Sequence, residues 1–363
     1  MKAALRKALN PKVLIPTLLS AAFLAFILAF ANSGAVIGEI KQAVTQAVIP
    51  AFFLTLLYLV AKAVQWRIYL ARLNINPGWE DFLVPYAGGE IGNNLPMGVF
   101  IENYLLKGSL GSGFGRSAAS TTWILITELI VCLLTLVVIG VPGWPWVRPV
   151  AAFLIFGLLV VGFVLFRTRL AREGLAKWEP RQKWAQAIRE GIKQFVEGSD
   201  RLFSWHTFVY GLPLAALYLG AYATILYVVG TVLVPSGQAW SWPEAAAAYA
   251  FSLVVVLLVP VLPHLGAVEA SGLGVLLEFG VSRNIAVGTF LSLRLLSTGT
   301  IILVCGLLLL VLHREVGKIF RRLSRQQQRA VQGQDQPEQD EQSVEDAEEQ
   351  QGAEQQEAGA PSS

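Results

Sequence analysis

The chain has 363 residues, 54% of them hydrophobic, and a mean hydropathy of +0.55. A soluble domain needs a polar shell and lies well below that apolar content, so the composition excludes a water-soluble enzyme or binding module as the main body of the chain. The net charge of +3 conceals an asymmetry: residues 335–357 hold ten carboxylates and no Lys or Arg, and the remainder carries 28 basic against 15 acidic residues. In a membrane protein such an excess reports topology and contact with anionic headgroups rather than nucleic acid.

The apolar residues fall in blocks at 13–31, 43–61, 117–147, 149–166, 207–234 and 285–312. Each has about the 20 residues, or more, that a helix needs to cross roughly 30 Å of hydrocarbon. Backbone in lipid must hydrogen-bond to itself, and ten-residue alternating barrel strands are absent, so these blocks read as helices. Lys2, Arg6, Lys7 and Lys12 precede the first block. It lacks a small-residue cleavage site before a soluble domain, which predicts a retained first helix with a cytoplasmic N-terminus. Glu39 and Lys41 then mark an outer loop, and Arg67 and Arg72 return the chain to the cytoplasm.

Residues 79–107 are apolar but broken by Gly88, Gly89, Gly92, Asn93, Asn94, Pro96 and Gly98, with Arg72 before and Lys107 and Arg116 after. Both ends are therefore expected on the cytoplasmic side of a segment that enters, breaks and returns. The VPGWPW stretch at 141–146 suits an outer interface belt. Nine basic residues between positions 167 and 201, interrupted by Trp178, Trp184, Ile188 and Phe195, predict a cytoplasmic amphipathic segment over 167–203 lying on the headgroups. A second interrupted stretch, 242–281, breaks at Pro260, Pro263 and Gly266. Arg314, Lys318, Arg321, Arg322, Arg325 and Arg329 put the end of the last helix in the cytoplasm, so this second hairpin is expected to dip in from outside. Beyond Ser324 the chain turns Gln/Glu-rich, which predicts a disordered acidic tail over 324–363.

The resulting expectation is an all-α polytopic membrane protein. Its membrane domain, 1–323, has about six transmembrane helices and two broken re-entrant hairpins in an inverted-topology repeat, 10–140 and 148–312. Short residue matches follow the same order in both halves: Trp79-Glu80 with Trp242-Pro243-Glu244, Tyr86 with Tyr249, Pro96-Met97-Gly98 and Glu102 with Pro263-His264-Leu265-Gly266 and Glu269, and Gly108 and Ala118 with Gly280 and Ala286. The alternative is that the second broken segment spans twice, giving eight transmembrane helices.

An ionisable residue deep in a span is costly unless it is paired or faces water. That singles out Glu90, Glu102, Glu128, Glu269, Glu278 and Arg294, whereas Lys62 reads as a helix-end residue that snorkels. Glu128 and Arg294 each lie about ten residues into the helix after a hairpin, and are expected to pair near the bilayer centre. Glu102 and Glu269 follow a broken turn, where they cap free backbone N–H groups or line a polar cavity. His264 reads as a turn residue or a proton relay, and Asn93 and Asn94 as partners of broken-helix backbone. The candidate cavity set is Glu90, Asn93, Asn94, Pro96, Gly98, Glu102, Glu128, Pro263, His264, Gly266, Glu269 and Arg294. No HExxH, GxSxG or P-loop appears, and three histidines scattered at 206, 264 and 313 predict no metal site, no cofactor and no catalytic residue. Cys132 and Cys305 both lie in apolar helices and receive no role.

The stretch Pro263-His264-Leu265-Gly266-Ala267-Val268-Glu269, followed by Gly280-Val281, Ala286 and Arg294, resembles the transmembrane region of bacterial lysylphosphatidylglycerol synthases and related stand-alone membrane proteins. Asn94-Leu95-Pro96-Met97-Gly98, Glu102 and Glu128 carry the resemblance in the first half, and it spans roughly 10–320. It implies a protein that moves or handles a phospholipid, a polyprenyl-glycolipid or a hopanoid-type lipid across the cytoplasmic membrane. Lys107 stands where the family usually has Arg, Leu129 follows Glu128 where an Arg is common, and the tail is no aminoacyl-transferase domain. Lysyl-lipid synthesis is therefore not expected. The readings carried forward are a lipid flippase or transporter, an intramembrane enzyme or accessory subunit acting on such a lipid, and a small-solute transporter. Membrane lipids are the expected partners, with anionic headgroups at the cytoplasmic face of a multi-pass inner-membrane protein.

Overall fold

Unbroken apolar runs give long helices, and runs interrupted by Gly and Pro give short ones. The computed structural model describes residues 33–93, 98–110, 113–164, 182–234, 240–258 and 264–331. Its regular structure is helical, with no strand among the described residues: α1 (Ser33–Arg72), α2 (Trp79–Gly92), a 3₁₀ turn (Gly98–Phe100), α3 (Ile101–Leu110), α4 (Phe114–Ile139), α5 (Val147–Gly162), α6 (Lys183–Leu202), α7 (Trp205–Leu233), α8 (Trp242–Leu258), α9 (His264–Glu278), α10 (Arg283–Val311) and α11 (His313–Val331). α1, α4, α7 and α10 are long and apolar enough to cross a membrane, and α5 and α8 are shorter apolar helices. The chain is an all-α polytopic membrane protein.

The start of this arrangement differs from the sequence expectation. The block 13–31 lies outside the described residues, and the expected outer loop at Glu39 and Lys41 is helical. α1 runs without a break for 40 residues, through Pro50. Packing explains the continuity: Val36, Ala43, Ala47 and Ala51 form a fully buried stripe of small side chains, and α1 packs along both α7 and α10. Small residues let helix backbones approach where the solvent is lipid. Ile37, Val48, Ile49, Phe53 and Val60 cover the opposite, exposed face.

Both interrupted segments are hairpins, α2 against α3 and α8 against α9. Their arms have 14, 10, 17 and 15 residues, so even the longest reaches only about 26 Å. The described arms of 10, 14 and 15 residues are shorter than the hydrocarbon is thick, while the 17 residues of α8 stand at the lower limit of a span. Their contacts are reciprocal. The first arm of each hairpin packs on the long helix of the other half, α2 on α10 and α8 on α4. The second arm packs on the long helix that follows it, α3 on α4 and α9 on α10.

α6 is the described part of the expected amphipathic segment. It packs along α4, burying Ala185, Ser199 and Leu202 and exposing Ile188 and Ile192. The chain divides into two compact units at Val316 and Gly317. In the second unit α11 remains helical to Val331, beyond the expected onset of disorder at Ser324. Its Arg, Leu and Gln residues are good helix formers, which low apolar content alone does not register. Residues 332–363 lie outside the described set.

The first hairpin closes on Gly98, where an added Cβ would collide with the carbonyl oxygen of Gly92. Backbone meets backbone, so no side chain can yield. Gly98→Ala is expected to cost about 1–3 kcal/mol or more, read as a lower melting temperature in detergent. Gly38→Ala, which meets nothing within 4 Å, is expected to be neutral or stabilising. Equal melting temperatures for the two variants would refute this closure.

Candidate functional site

Two hairpins that reach into the bundle from their own halves bring polar side chains to its centre. A cavity of about 150 Å³ lies there, lined by Lys62 and Tyr58 of α1, Glu90 and Asn93 beside the first break, Glu102 of α3, Thr121 and Glu128 of α4, Glu269 of α9 and Arg294 of α10. Ile124, Leu125, Leu253, Leu257 and Ile301 form an apolar part of the same wall. A single small space thus meets four carboxylates, two bases and a hydrocarbon surface.

The position of Glu102 follows from local sequence. Gly89 faces it, and a Cβ at residue 89 would stand 2.6 Å from Glu102 Cβ. The absence of a side chain at Gly89 lets α3 lie against α2 and brings Glu102 close to Glu90, one residue along. Asn93 caps α2, its backbone N–H donating to Gly89 O at 2.7 Å.

Lys62 organises the charges. Its Nζ lies 3.2 Å from Glu90 Oε1 and 3.7 Å from Glu128 Oε1, and donates to Tyr58 OH at 2.8 Å. Tyr58 takes a hydrogen bond from the ammonium, and the two carboxylates stand at ion-pair distance from it. Tyr58 OH donates to Glu90 Oε2 at 3.1 Å, and Tyr218 OH donates to Glu128 Oε1 at 3.0 Å. Tyr58 also meets the rings of Tyr218 and Tyr222 edge-on, with centroids 5.6 and 4.6 Å away, and Tyr222 stacks on Tyr249 at 5.5 Å. Glu90, Glu102, Glu128 and Glu269 are all buried, at 1%, 5%, 7% and 4% exposure. A removed partner would therefore leave a charge with little water to take its place.

On the other side of the cavity, Arg294 Nε lies 3.3 Å from Glu269 Oε1. Its Nη2 is buried and finds no acceptor among the described residues. Glu102 receives the Thr121 hydroxyl on Oε1, and Asn103 Nδ2 donates to Thr121 Oγ1 at 2.9 Å.

Of the sequence candidates, the cavity gathers Glu90, Asn93, Glu102, Glu128, Glu269 and Arg294. Gly98 lies at the hairpin closure. His264 and Gly266 open α9, and Asn94, Pro96 and Pro263 fall outside the described residues. Glu278 is elsewhere, at the end of α9 beside Gly143. The expected Glu128–Arg294 pair does not form: Glu128 joins Lys62 and Tyr218, and Arg294 joins Glu269. Lys62 is not the snorkelling helix-end residue that the sequence suggests. α1 continues ten residues beyond it, to Arg72, so Lys62 stands about 15 Å inside that end, half the hydrocarbon thickness. Trp66, Tyr69 and Leu70, all fully buried, are the signal in the sequence that the helix had not ended at Lys62.

A model of the lysylphosphatidylglycerol synthase TM region family matches residues 13–306. The chain belongs to the lysylphosphatidylglycerol synthase TM region family. No curated protein matches it. Within this family member, the matched residues include every described side chain of the cavity, and stop short of α11. Membership and the apolar helices together make it a multi-pass membrane protein.

The pairing makes a specific energetic prediction. Lys62→Gln leaves Glu90 and Glu128 without their shared base and is expected to cost about 3–5 kcal/mol, measured by thermal and denaturant unfolding in detergent. Neutralising all three, as Lys62→Gln with Glu90→Gln and Glu128→Gln, is expected to recover most of that loss. In double-mutant cycles Arg294→Gln should couple to Glu269→Gln more strongly than to Glu128→Gln. The reverse order would mean that the pairs are exchanged in the folded protein.

Proposed function

We propose that this protein moves a lipid between the leaflets of the inner, cytoplasmic membrane, taking the headgroup through the central cavity. The observation that carries this reading is the cavity's mixed wall. Charged groups that are costly in a bilayer are concentrated around one space, and an apolar surface completes it. A lipid has the same two-part chemistry. Arg294 Nη2, buried and without an acceptor among the described residues, suits the phosphate that lipid headgroups share. Broken helices at mid-membrane and reciprocal packing of two halves are the features of transporters that alternate access around a fixed site.

In this reading both termini are cytoplasmic, because Arg314, Lys318, Arg321 and Arg322 follow α10. Those bases contact anionic headgroups at that face. A C-terminal reporter active only outside the cytoplasm should stay silent, and activity from it would reverse the orientation.

The function is tested with the full chain in vesicles containing a headgroup-labelled phosphatidylglycerol. Label protected from an impermeant quencher is expected to become accessible, and lipid recovered afterwards should be chemically unchanged. Arg294→Gln, losing a charged hydrogen bond, is expected to slow the exchange about tenfold or more. Chemically altered lipid would favour an intramembrane enzyme instead, and unchanged protection would refute lipid movement.

A further inference from the structure

The charges around the cavity do not balance. Among the described residues, four carboxylates, Glu90, Glu102, Glu128 and Glu269, face two bases, Lys62 and Arg294. Glu269 has Arg294, while Glu90 and Glu128 share Lys62. Glu102 makes no ion pair with any described Lys, Arg or His. Its described polar partner is a neutral hydroxyl, that of Thr121 on α4. Among the described residues, the charged and titratable groups that face the same space are Lys62 and Tyr58 from α1, Glu90 from α2, Glu128 from α4, Tyr222 from α7, Tyr249 from α8, Glu269 from α9 and Arg294 from α10.

Two further facts bear on Glu102. It is 5% exposed, so water does little to screen a charge there. Asn103 Nδ2 donates to Thr121 Oγ1, which commits the Thr121 hydrogen to Glu102 Oε1. Oε1 is therefore an acceptor, and Oε2, on the side of Gly89, is the oxygen free to carry a hydrogen. A phosphate entering beside Arg294 would add negative charge to a space that already holds a surplus of carboxylates. Its entry needs a compensating positive charge.

We infer that Glu102 binds a proton that travels with the lipid headgroup, so that lipid movement is coupled to the proton gradient; the coupling rests on the lipid-moving reading above. The step is a simple protonation. Glu102 Oε2 takes one proton from water on one side of the membrane, becoming a neutral carboxylic acid, and returns it to water on the other side after the headgroup has crossed. No other bond forms or breaks. Glu102 follows the broken turn on α3, the arm of the first hairpin that packs on α4, so displacement of that hairpin would change the water to which it is open.

The test has a part that does not depend on lipid movement. Infrared difference spectra of the full chain in detergent, between acid and alkaline solution, are expected to show a buried carboxylic C=O band that Glu102→Gln removes. Thr121→Val keeps the carboxyl and deletes its hydroxyl partner; it should retain the band and move its midpoint. Persistence of the band in Glu102→Gln overturns the site. In phosphatidylglycerol–phosphatidylethanolamine vesicles, a gradient of one pH unit should shift the steady-state leaflet ratio of labelled phosphatidylglycerol by up to about tenfold for one proton per lipid. Glu102→Gln should give no shift, whatever its residual rate. Wild-type protein that moves lipid but ignores gradients of both signs overturns the coupling. Wild-type protein that shows the Glu102 band yet moves no lipid overturns the coupling and the lipid reading together, and upholds the proton site.

Discussion

The ammonium of Lys62 is the charge around which the centre of this protein is assembled. Held within hydrogen-bonding or ion-pair reach of Tyr58, Glu90 and Glu128, it ties α1 to the first hairpin and to α4 at one point. A buried amine is tolerable only beside opposite charge, and carboxylates are tolerable only with a base or a proton nearby. Each of these groups therefore makes the others possible. The tyrosines extend the arrangement, since phenols give O–H donors to carboxylates while their rings remain compatible with an apolar bundle. Tyr218 brings α7 into the same network through Glu128.

Much of the protein's plan was legible in its sequence, because lipid imposes few solutions. Apolar length gave the long helices, and clusters of Gly, Asn and Pro gave the two hairpins. The carboxylates at 90, 102, 128 and 269 stood out by being charged within apolar surroundings. What remained illegible was partnership. Sequence spacing placed Glu128 and Arg294 at comparable depths in comparable helices, yet depth does not state which faces meet. The hairpins intervene, and each long helix meets the base or acid carried by a different neighbour.

The place of Lys62 is hidden in the sequence for a related reason. The uncharged run stops at Ala61, which places Lys62 near an expected helix end, and Glu39 and Lys41 read as an outer loop where α1 is helical. Two charged residues within about a turn of helix do not force a loop when the opposite face of that turn is buried. The small side chains of Val36 and Ala43, both fully buried, hold the helix together there. Periodicity of small residues, rather than interruption of hydropathy, was the informative pattern.

The 40-residue length of α1 carries a mechanical consequence. At about 60 Å it is twice as long as the hydrocarbon is thick. Lying wholly inside would demand a tilt near 60°, beyond the range membrane helices adopt. Several turns must stand among headgroups or in water, while Lys62 keeps its place along the same helix. Bilayer thickness then becomes a variable that acts on the cavity: a thinner membrane asks α1 to lean further, and α7 and α10, packed along it, must lean with it. Hydrophobic mismatch is thus transmitted to the charged centre by the longest helix of the fold.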